Sequence, residues 1–469
     1  MFITAYKIKK FILITAFFMP LFMHQEAESS TAGPLFIQVH FTSVISNITS
    51  EQASQILEGE IGNFRDIGGE NIPIKIFAEK KISSFLRKEF PRLKFTESDF
   101  FRAAEYSAKG FLGICSVEAL SPCAKTLYID GILPWGKIDS DYVLSSSSGY
   151  PLRRDYAPSW NDSEHVSVIQ TGVTAMTRAF IPAVDKGDDV CEPVKETWRI
   201  TSSADISMTS NEVSFDENCS YPFPNRMKFC SPYRYFDILK KSGFNMIELT
   251  GNHNNDYGRE DNTKTIELYK KNGMNYFGGG LNEKEASEIK YIAIRGRKFA
   301  FVGFNQWGPA EAWASADQPG ASRLTEAKYF AAVNEAVANA DFVFVSVQWG
   351  NENDPVPYPI QKEYFRKAAE MGATIMVSSS SHRAMGLEFH GGKFISYGLG
   401  NFLFDQMQTV NHRRGMIARH HFYGKKHIAT ELIPYLIYNH SQPRLQKGKE
   451  ARELMGEVYK YSLGSVFKN

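Results

Sequence analysis

Short apolar runs alternate with amphipathic segments along most of the chain. Residues 34–41 (PLFIQVHF) are densely apolar and residues 72–78 (IPIKIFA) alternate every second position, which predicts two β-strands. Residues 49–59 combine a Ser/Thr-type cap with helical spacing, and residues 82–90 have the same helical spacing. This alternation predicts a small α/β domain of its own over residues 34–144.

A longer series of the same kind follows a Ser- and Pro-rich stretch. The stretch has no periodicity and predicts a linker over residues 145–164. Beyond it, a strand beginning at His165 is expected to give way to a turn at Gly172. Further strands are predicted at 244–251, 298–305, 341–350, 373–380 and 393–404, and helices at 231–243, 262–273, 323–340 and 359–372. We therefore predict a second domain over residues 165–440 and a helical extension over 441–469.

The composition supports a folded chain and removes one class of partner. The chain has 469 residues, enough for two or three domains, and is 43% apolar and 13% aromatic, which provides for packed cores. Lys and Arg number 53 against 52 Asp and Glu. Because this balance gives no basic footprint, we expect no nucleic-acid partner.

The first thirty residues have a separate character. Lysines within residues 7–10 precede an apolar run over residues 11–23. A basic start followed by a short apolar run is typical of a secretory signal peptide, which we predict over residues 1–30. The alternative is an uncleaved signal anchor, in which case membrane contact would occur only through this segment. The sequence predicts an exported protein of the periplasm or cell envelope.

Export makes the five cysteines candidates for disulfides. The pairs nearest in sequence are Cys115 with Cys123 and Cys219 with Cys230, and these are the pairings we expect first. Cys191 is left over, and the sequence alone does not fix the connectivity. The chain has no CxxC motif, so a cysteine-based zinc site is not expected.

Polar residues gather directly after five of the predicted strands, where layered α/β folds place their sites. The segments are 171–178, 210–215, 250–258, 347–354 and 378–386. Together they supply Glu212, Asn252, His253, Asp256, Gln348, Glu352 and His382. Asp256 could orient and charge His253 for proton transfer near neutral pH. Glu212 and His382 offer oxygen and nitrogen ligands to a metal ion.

Each of these residues also has a purely structural interpretation. A histidine in a polar turn, such as His253, is commonly a hydrogen-bonded turn residue. Glu352 fits a solvated loop, and the serines before His382 fit a flexible surface segment. The recurrence of polar clusters at successive strand ends is what favours a functional site.

Two long motifs resemble a known family. GNHNNDYG (251–258) and ISYGLGNFLFDQM (395–407) look like those of the bacterial poly-γ-glutamate capsule-synthesis proteins of the CapA type, or PGA_cap family. The resemblance runs from about residue 165 to near the C-terminus. It implies an α/β fold of the calcineurin-like metallophosphoesterase kind, a two-layer β-sandwich flanked by helices with metal ligands at strand ends.

The family's metal ligands are only partly present. Val173 stands where the family has a metal-binding aspartate, Gln348 where it often has a histidine, and Ser380 where it has another. The resemblance leaves Glu212, Asn252 and His382 as metal ligands. Since two-metal sites use about six or seven protein ligands, we expect one weakly held divalent ion (Mn or Zn) or none.

The amino-terminal region carries a second resemblance. Residues 49–78, with Phe64 in place of a usual Trp, and residues 110–131 are similar to one lobe of periplasmic phosphate-type solute-binding proteins. Those proteins bind ligand between two lobes, so a single lobe implies a spacer or a docking module.

Together these observations predict an exported protein acting in the synthesis, processing or attachment of a capsular polymer such as poly-γ-glutamate. As a hydrolase or transferase, it would use His253 as general acid or base and Asp256 as its orienting partner. The substrate contacts would be Asn211, Gln348, Glu352 and Arg178. The expected partners are the anionic polymer or its synthesis machinery. The alternatives are a non-catalytic protein that binds polymer or partner, and solute capture by the amino-terminal lobe.

Overall fold

A computed structural model describes residues 35–99, 103–132, 161–219, 221–222, 227–350 and 354–468. The predicted signal peptide and most of the predicted linker lie outside these residues, as does Glu352.

The amino-terminal part is built on one five-stranded sheet. Its elements are β1 (Phe36–His40), β2 (Asn47–Ile48), α1 (Ser50–Leu57), β3 (Lys75–Glu79), α2 (Lys80–Glu89), β4 (Thr96–Ser98), α3 (Ala103–Tyr106), β5 (Phe111–Cys115), β6 (Ala124–Thr126) and β7 (Tyr128–Ile129). The strand order is β4-β3-β5-β1-β6. Thr49 and Gln52 form a reciprocal capping box that starts α1. The two strands and two helices predicted here are confirmed, within a few residues at their ends.

The rest of the chain supplies two larger sheets and the helices around them. Its strands are β8 (His165–Ala175), β9 (Ile206–Asn211), β10 (Phe215–Asp216), β11 (Ser231–Pro232), β12 (Met246–Glu248), β13 (Asn275–Phe277), β14 (Gly279–Gly280), β15 (Lys290–Ile294), β16 (Arg297–Asn305), β17 (Gly320–Ala321), β18 (Phe342–Gln348), β19 (Ile375–Ser378), β20 (Leu387–His390), β21 (Lys393–Ser396), β22 (Asn401–Phe404), β23 (Arg414–Tyr423), β24 (Lys426–Tyr438) and β25 (Gln442–Leu445). Its helices are α4 (Phe180–Asp185), α5 (Trp198–Thr201), α6 (Phe236–Lys241), α7 (Arg259–Lys271), α8 (Glu283–Ala286), α9 (Glu326–Asn339), α10 (Pro359–Met371), α11 (Val410–Arg413) and α12 (Gly448–Lys460).

The two larger sheets pack face to face. The first has the order β13-β12-β9-β8-β23-β24-β25, with β22 also paired to β8, and the second has the order β15-β16-β18-β19-β21-β20. Apolar side chains from both inner faces, such as Met208 and Phe344, share one core. Helices α4, α6 and α7 cover the outer face of the first sheet, and α9 and α10 cover that of the second. The structure therefore has the predicted fold class, an α/β protein with a two-layer β-sandwich flanked by helices.

Two of the predicted strands end differently from expectation. Strand β8 continues through Gly172 to Ala175, because its register shifts between Gln170 and Val173 instead of turning. A Cβ atom at Gly172 would lie 2.0 Å from the carbonyl oxygen of Gly400, so glycine is required for this close approach. The predicted strand over 393–404 is two strands, since β21 belongs to the second sheet and β22 to the first.

The long hairpin of β23 and β24 was not predicted. These strands carry polar residues that are buried, so their sequence lacks a clean apolar alternation. His420 contacts Thr430 on the neighbouring strand and Gln170 on β8, at 3.0 and 3.2 Å. The predicted extension over 441–469 contains a further strand, β25, besides the predicted helix, which is α12.

One predicted disulfide is present and the other is not. Cys219 and Cys230 are bonded, as expected. The Cys115–Cys123 pairing is wrong, because β1 lies between β5, which ends at Cys115, and β6, which begins directly after Cys123. Cys115 is level with one end of β1 and Cys123 adjoins its other end, so their sulfur atoms cannot meet. Both are buried free thiols.

The amino-terminal sheet contacts the sandwich through aromatic and polar side chains. Phe41, directly after β1, lies with its ring centroid 4.9 Å from that of Phe389 and 5.7 Å from that of Phe467. The Tyr128 hydroxyl donates to Glu431 of β24 at 3.1 Å. Among the described helices, none is both long and apolar enough to cross a membrane.

Candidate functional site

The polar segments predicted after the strands meet at one edge of the sandwich. Strands β9 and β12 are parallel neighbours in the first sheet, and β18 and β19 are parallel neighbours in the second. Their carboxyl ends therefore point the same way within each sheet. A hydrogen bond from Gln348 Nε2 to Glu212 Oε1, 2.8 Å long, joins the two sheets at this edge.

Glu212 and His382 form the buried centre of the site. Glu212 is 1% exposed, and its Oε2 atom has no hydrogen-bond partner among the described residues. That atom lies 3.8 Å from Nε2 of His382. His382 Nδ1 lies 2.8 Å from the side-chain oxygen of Asn401, so Nδ1 carries a proton and donates it. In neutral His382 the lone pair is then on Nε2, facing the carboxylate.

A hydrogen-bonded chain behind Gln348 fixes its amide. Ser379 donates to Gln348 Oε1 at 2.7 Å and lies 2.8 Å from Glu248 Oε1. Gln348 Nε2 also donates to Asn252 Oδ1, at 3.1 Å. Burial raises the pKa of Glu248, against the lowering effect of the hydrogen bond from Thr250. Since the amide of Gln348 is engaged on both sides, it is a fixed part of the wall of the site.

His253 and Asp256 form the pair that the sequence predicts. Nδ1 of His253 lies 2.7 Å from Oδ2 of Asp256, which also accepts the backbone N–H of Phe229 at 2.9 Å. Burial lowers the pKa of His253, but the hydrogen bond to Asp256 and the charges of Glu212 and Asp256 outweigh it, so the net shift is upward. His253 retains 20% side-chain exposure. It is therefore a partly accessible imidazole that favours its charged form.

Two predicted substrate contacts are engaged elsewhere. The Arg178 guanidinium pairs with the buried carboxylate of Asp405 and lies between the rings of Phe229 and Phe404, 4.8 Å from each centroid. Asn211 is fully buried, and its amide donates to the carbonyl of Val213 at 2.7 Å and to Tyr269 at 2.8 Å. These contacts give Arg178 and Asn211 roles in holding the loops around the site.

The donor set does not fit the two-metal centre that the fold family implies. Val173 is fully buried in an apolar cluster with Ala175, Val213, Phe229 and Phe404. Over the described parts of the chain, no group of three or more His, Cys, Asp and Glu side chains is arranged to hold a metal ion. Glu212 and His382 supply one carboxylate and one imidazole, and Asn252 adds an amide oxygen.

Several residues of the site were not singled out from the sequence. Asn401 holds His382, Asp405 holds Arg178, and Phe229 packs its ring 4.5 Å from that of His253. Asn401 and Asp405 lie inside the motif over 395–407, which therefore carried a signal for both. Phe229 is adjacent to the disulfide at Cys230, and no local pattern marks it.

The two packed sheets, the outer helices and the polar strand ends define a metallophosphoesterase-like domain. The chain belongs to the family described as bacterial capsule synthesis protein PGA_cap, which matches residues 167–406.

The relatives that this chain resembles match only part of it. It is 29% identical over 235 residues to the capsule biosynthesis protein CapA of Bacillus anthracis, covering 48% of this chain and 57% of that protein. It is 29% identical over 184 residues to the PGA biosynthesis protein CapA of Bacillus subtilis (strain 168), covering 39% and 48%. The chain thus spans about half the length of these relatives. A solved 5'-nucleotidase precursor from Thermus thermophilus aligns with a TM-score of 0.37 at 12% identity, over 63% of this chain and 58% of that one.

Proposed function

We propose that this protein acts in the synthesis, processing or attachment of an anionic capsular polymer such as poly-γ-glutamate. Support comes from the family and from relatives whose names refer to capsule and PGA biosynthesis. The observation that carries a chemical role is the His253–Asp256 pair, a partly exposed imidazole whose pKa is raised by its carboxylate partner at the strand-end site.

In this proposal His253 transfers the proton. A protonated imidazole can donate its proton to the leaving amide nitrogen when water, in cleavage, or an acceptor nucleophile, in transfer, adds to the γ-glutamyl carbonyl carbon. Asp256 fixes the ring through Nδ1, which leaves Nε2 as the atom that meets the substrate. A charged His253 also attracts the carboxylates of an anionic chain. Gln348 and Glu352 remain proposed substrate contacts.

The proposal does not depend on two-metal hydrolysis. Val173, Gln348 and Ser380 replace three ligands that such a centre uses in the family. A single Mn or Zn ion would be held by Glu212, His382 and Asn252 and would polarise a substrate oxygen. With so few protein ligands its affinity would be low.

A second candidate is a non-catalytic protein that binds the polymer. The loss of metal ligands, with Val173 buried among apolar side chains, favours this candidate. The amino-terminal lobe over residues 34–144, with its resemblance to solute-binding proteins, would then serve as an additional docking or solute-binding module beside the domain at 165–440.

The proposed location is the periplasm or cell envelope. The Cys219–Cys230 disulfide supports it, because disulfides persist in oxidising compartments. The proposed partners there are the polymer and its synthesis machinery.

The test is the chain length of purified poly-γ-glutamate after incubation with the protein, measured by size-exclusion chromatography. We expect shortening by the wild type, and a loss of about 100-fold or more in rate for His253→Gln. His390→Gln is the matched control, because His390 pairs with Glu370 and Glu388, which are not residues of the strand-end site. Binding without any change in length would establish the second candidate, and neither binding nor shortening would refute the proposal.

A further inference from the structure

A cleft separates the amino-terminal lobe from the sandwich. It has a volume of about 720 Å³, within the range of roughly 300–1,000 Å³ that is usual for ligand pockets. One wall consists of residues 41–46 and strand β6, and the other of β24 and α12. The cleft is far along the chain from the segments that form the strand-end site, and it includes none of their residues.

A small side pocket adjoins this cleft inside the lobe. Its volume is about 110 Å³, and it shares Thr42, Ser43, Val44 and the exposed acidic residue Glu70 with the cleft wall. His40 and Lys109 also line it. The two spaces therefore form a groove with a polar recess on one side.

His40, which lines this recess, has an unused hydrogen-bond donor. The side chain is 2% exposed, and its Nδ1 accepts from the backbone N–H of Thr42 at 3.3 Å, with the Thr42 hydroxyl 2.8 Å away. With Nδ1 as acceptor, the neutral ring carries its proton on Nε2. That Nε2 atom has no hydrogen-bond partner among the described residues. A buried donor without a partner is unfavourable unless a ligand accepts from it.

Two lysines surround His40 without carboxylate partners. Their charges are near enough to contribute, after burial, to a lowered pKa of about 4 for His40. Neither Lys109 nor Lys125 forms an ion pair with any described residue. Lys125 is half-buried and donates to the carbonyl of Ser43.

The charged residues of the whole cleft are unequal in sign. Its walls include the basic residues Lys125, Lys447, Arg452 and Lys460 and the acidic residues Glu70 and Glu431. Glu431 is already engaged by Arg419, His421 and Tyr128. With Glu431 set aside, the charged side chains that line the cleft are mainly basic.

We propose that this cleft is a second binding site, for a segment of a carboxylate-bearing polymer, with one carboxylate in the recess. That carboxylate accepts from Nε2 of His40 and pairs with Lys109, and neighbouring residues of the polymer lie along the basic wall at Lys125. The choice of a γ-linked glutamate chain as the ligand rests on the proposed function, whereas the carboxylate site rests on the recess itself. The lobe then holds the polymer while the strand-end site acts on it.

The experiment measures binding of a synthetic γ-linked glutamate hexamer to the full chain by calorimetry. We expect Lys109→Gln and His40→Phe each to weaken binding roughly tenfold or more, as for the loss of a charge-assisted hydrogen bond. Lys94→Gln makes the same charge change at an exposed lysine outside the cleft, and we expect it to leave the affinity unchanged. A hexamer with its carboxylates amidated should not bind.

Specific outcomes overturn the inference. The first is that Lys109→Gln binds the hexamer with the same affinity as the wild type. The second is that the amidated hexamer binds as tightly as the unmodified one. The third is that inorganic phosphate, at the same concentration as the hexamer, displaces the hexamer completely. Lys109 is exposed, so its variant remains informative if His40→Phe does not fold. If hexamer binding is lost in His253→Gln but kept in Lys109→Gln, the cleft is not the binding site. That result would leave the proposed function unaffected. Binding that depends on Lys109, without any shortening of the long polymer, supports the cleft and refutes the catalytic role.

Discussion

Glu212 and His382 lie on segments that follow strands of different sheets, yet Oε2 of the glutamate is 3.8 Å from Nε2 of the histidine. We propose that the pair is the remainder of a metal-ligand set, because the resemblance implies an aspartate at Val173 and histidines at Gln348 and Ser380. The neighbouring amide of Gln348 donates a hydrogen bond to the other oxygen of Glu212, Oε1.

Restoring the missing ligands should restore metal binding. We predict that Val173→Asp, Gln348→His and Ser380→His together raise the Mn or Zn content per chain above that of the wild type, measured by elemental analysis after dialysis. Because Val173 is fully buried among apolar side chains, the metal-free triple variant should unfold at a lower temperature, and metal should raise that temperature.

His382→Ala in the triple variant is the control, and it should abolish the gain in metal. A metal content that is the same in the wild type and the triple variant would show that the strand-end geometry does not suit a metal centre.

The fold was largely accessible from the sequence because continuous apolar runs mark buried strands and the helical period marks the buried face of a helix. Strands β1, β16, β18 and β19 and helices α9 and α10 all follow that rule. It fails for β23 and β24, where His420 and Thr430 satisfy each other inside the sheet and remove the apolar alternation. It also fails at residues 393–404, since apolar character does not say which of two sheets a residue joins.

The site was accessible only in part. The strand-end rule brings Glu212, His382 and Gln348 together, as the structure does. The partner of Arg178 could not be predicted, because Asp405 is 227 positions away and no local pattern links them. Asn211 and Glu212 are consecutive at a strand end, so their side chains point to opposite sides and only one can face the site.

The Arg178–Asp405 pair should contribute mainly to stability. Asp405 has 7% side-chain exposure, so Arg178→Ala leaves a buried carboxylate without its partner. We predict a loss of about 3–5 kcal/mol in the free energy of unfolding, measured by urea denaturation. The double variant Arg178→Gln with Asp405→Asn should lose less unfolding free energy than the sum of the losses in the two single variants. An Arg178→Ala variant of normal stability that fails to bind polymer would instead support the substrate contact predicted from sequence.

The charge on His253 should give stability a pH dependence of known sign. Its pKa in the folded state is above the ordinary value of 6.5, so its contribution is fully present below that value and is lost as pH rises through the higher folded pKa. We predict that the free energy of unfolding is larger for the wild type than for His253→Gln at about pH 5.5–6, which is roughly one unit or less below the ordinary pKa. The difference between the two proteins should become smaller as the pH rises. Asp256→Asn should lower the pKa of His253, which an NMR titration would detect. A pKa unchanged in Asp256→Asn would contradict this assignment.

The Cys219–Cys230 disulfide should stabilise the wall of the site beside His253. The two residues are 11 positions apart, and closing a loop of that length contributes about 3 kcal/mol. We predict a loss of that order when both are changed to serine, measured by urea denaturation. Because Phe229 adjoins Cys230 and donates to Asp256, the pKa of His253 should also fall. Cys191→Ser should change neither quantity, and an equal loss in that variant would contradict the prediction.

The most direct test of the account is the rate of poly-γ-glutamate shortening in the presence of a strong chelator. If His253 transfers the proton at a site depleted of metal ligands, the wild type should keep its rate of shortening in the chelator. The rate of His253→Gln should be about 100-fold or more lower under the same conditions. A rate that disappears with the chelator, returns with Mn or Zn and is unaffected by His253→Gln would contradict it.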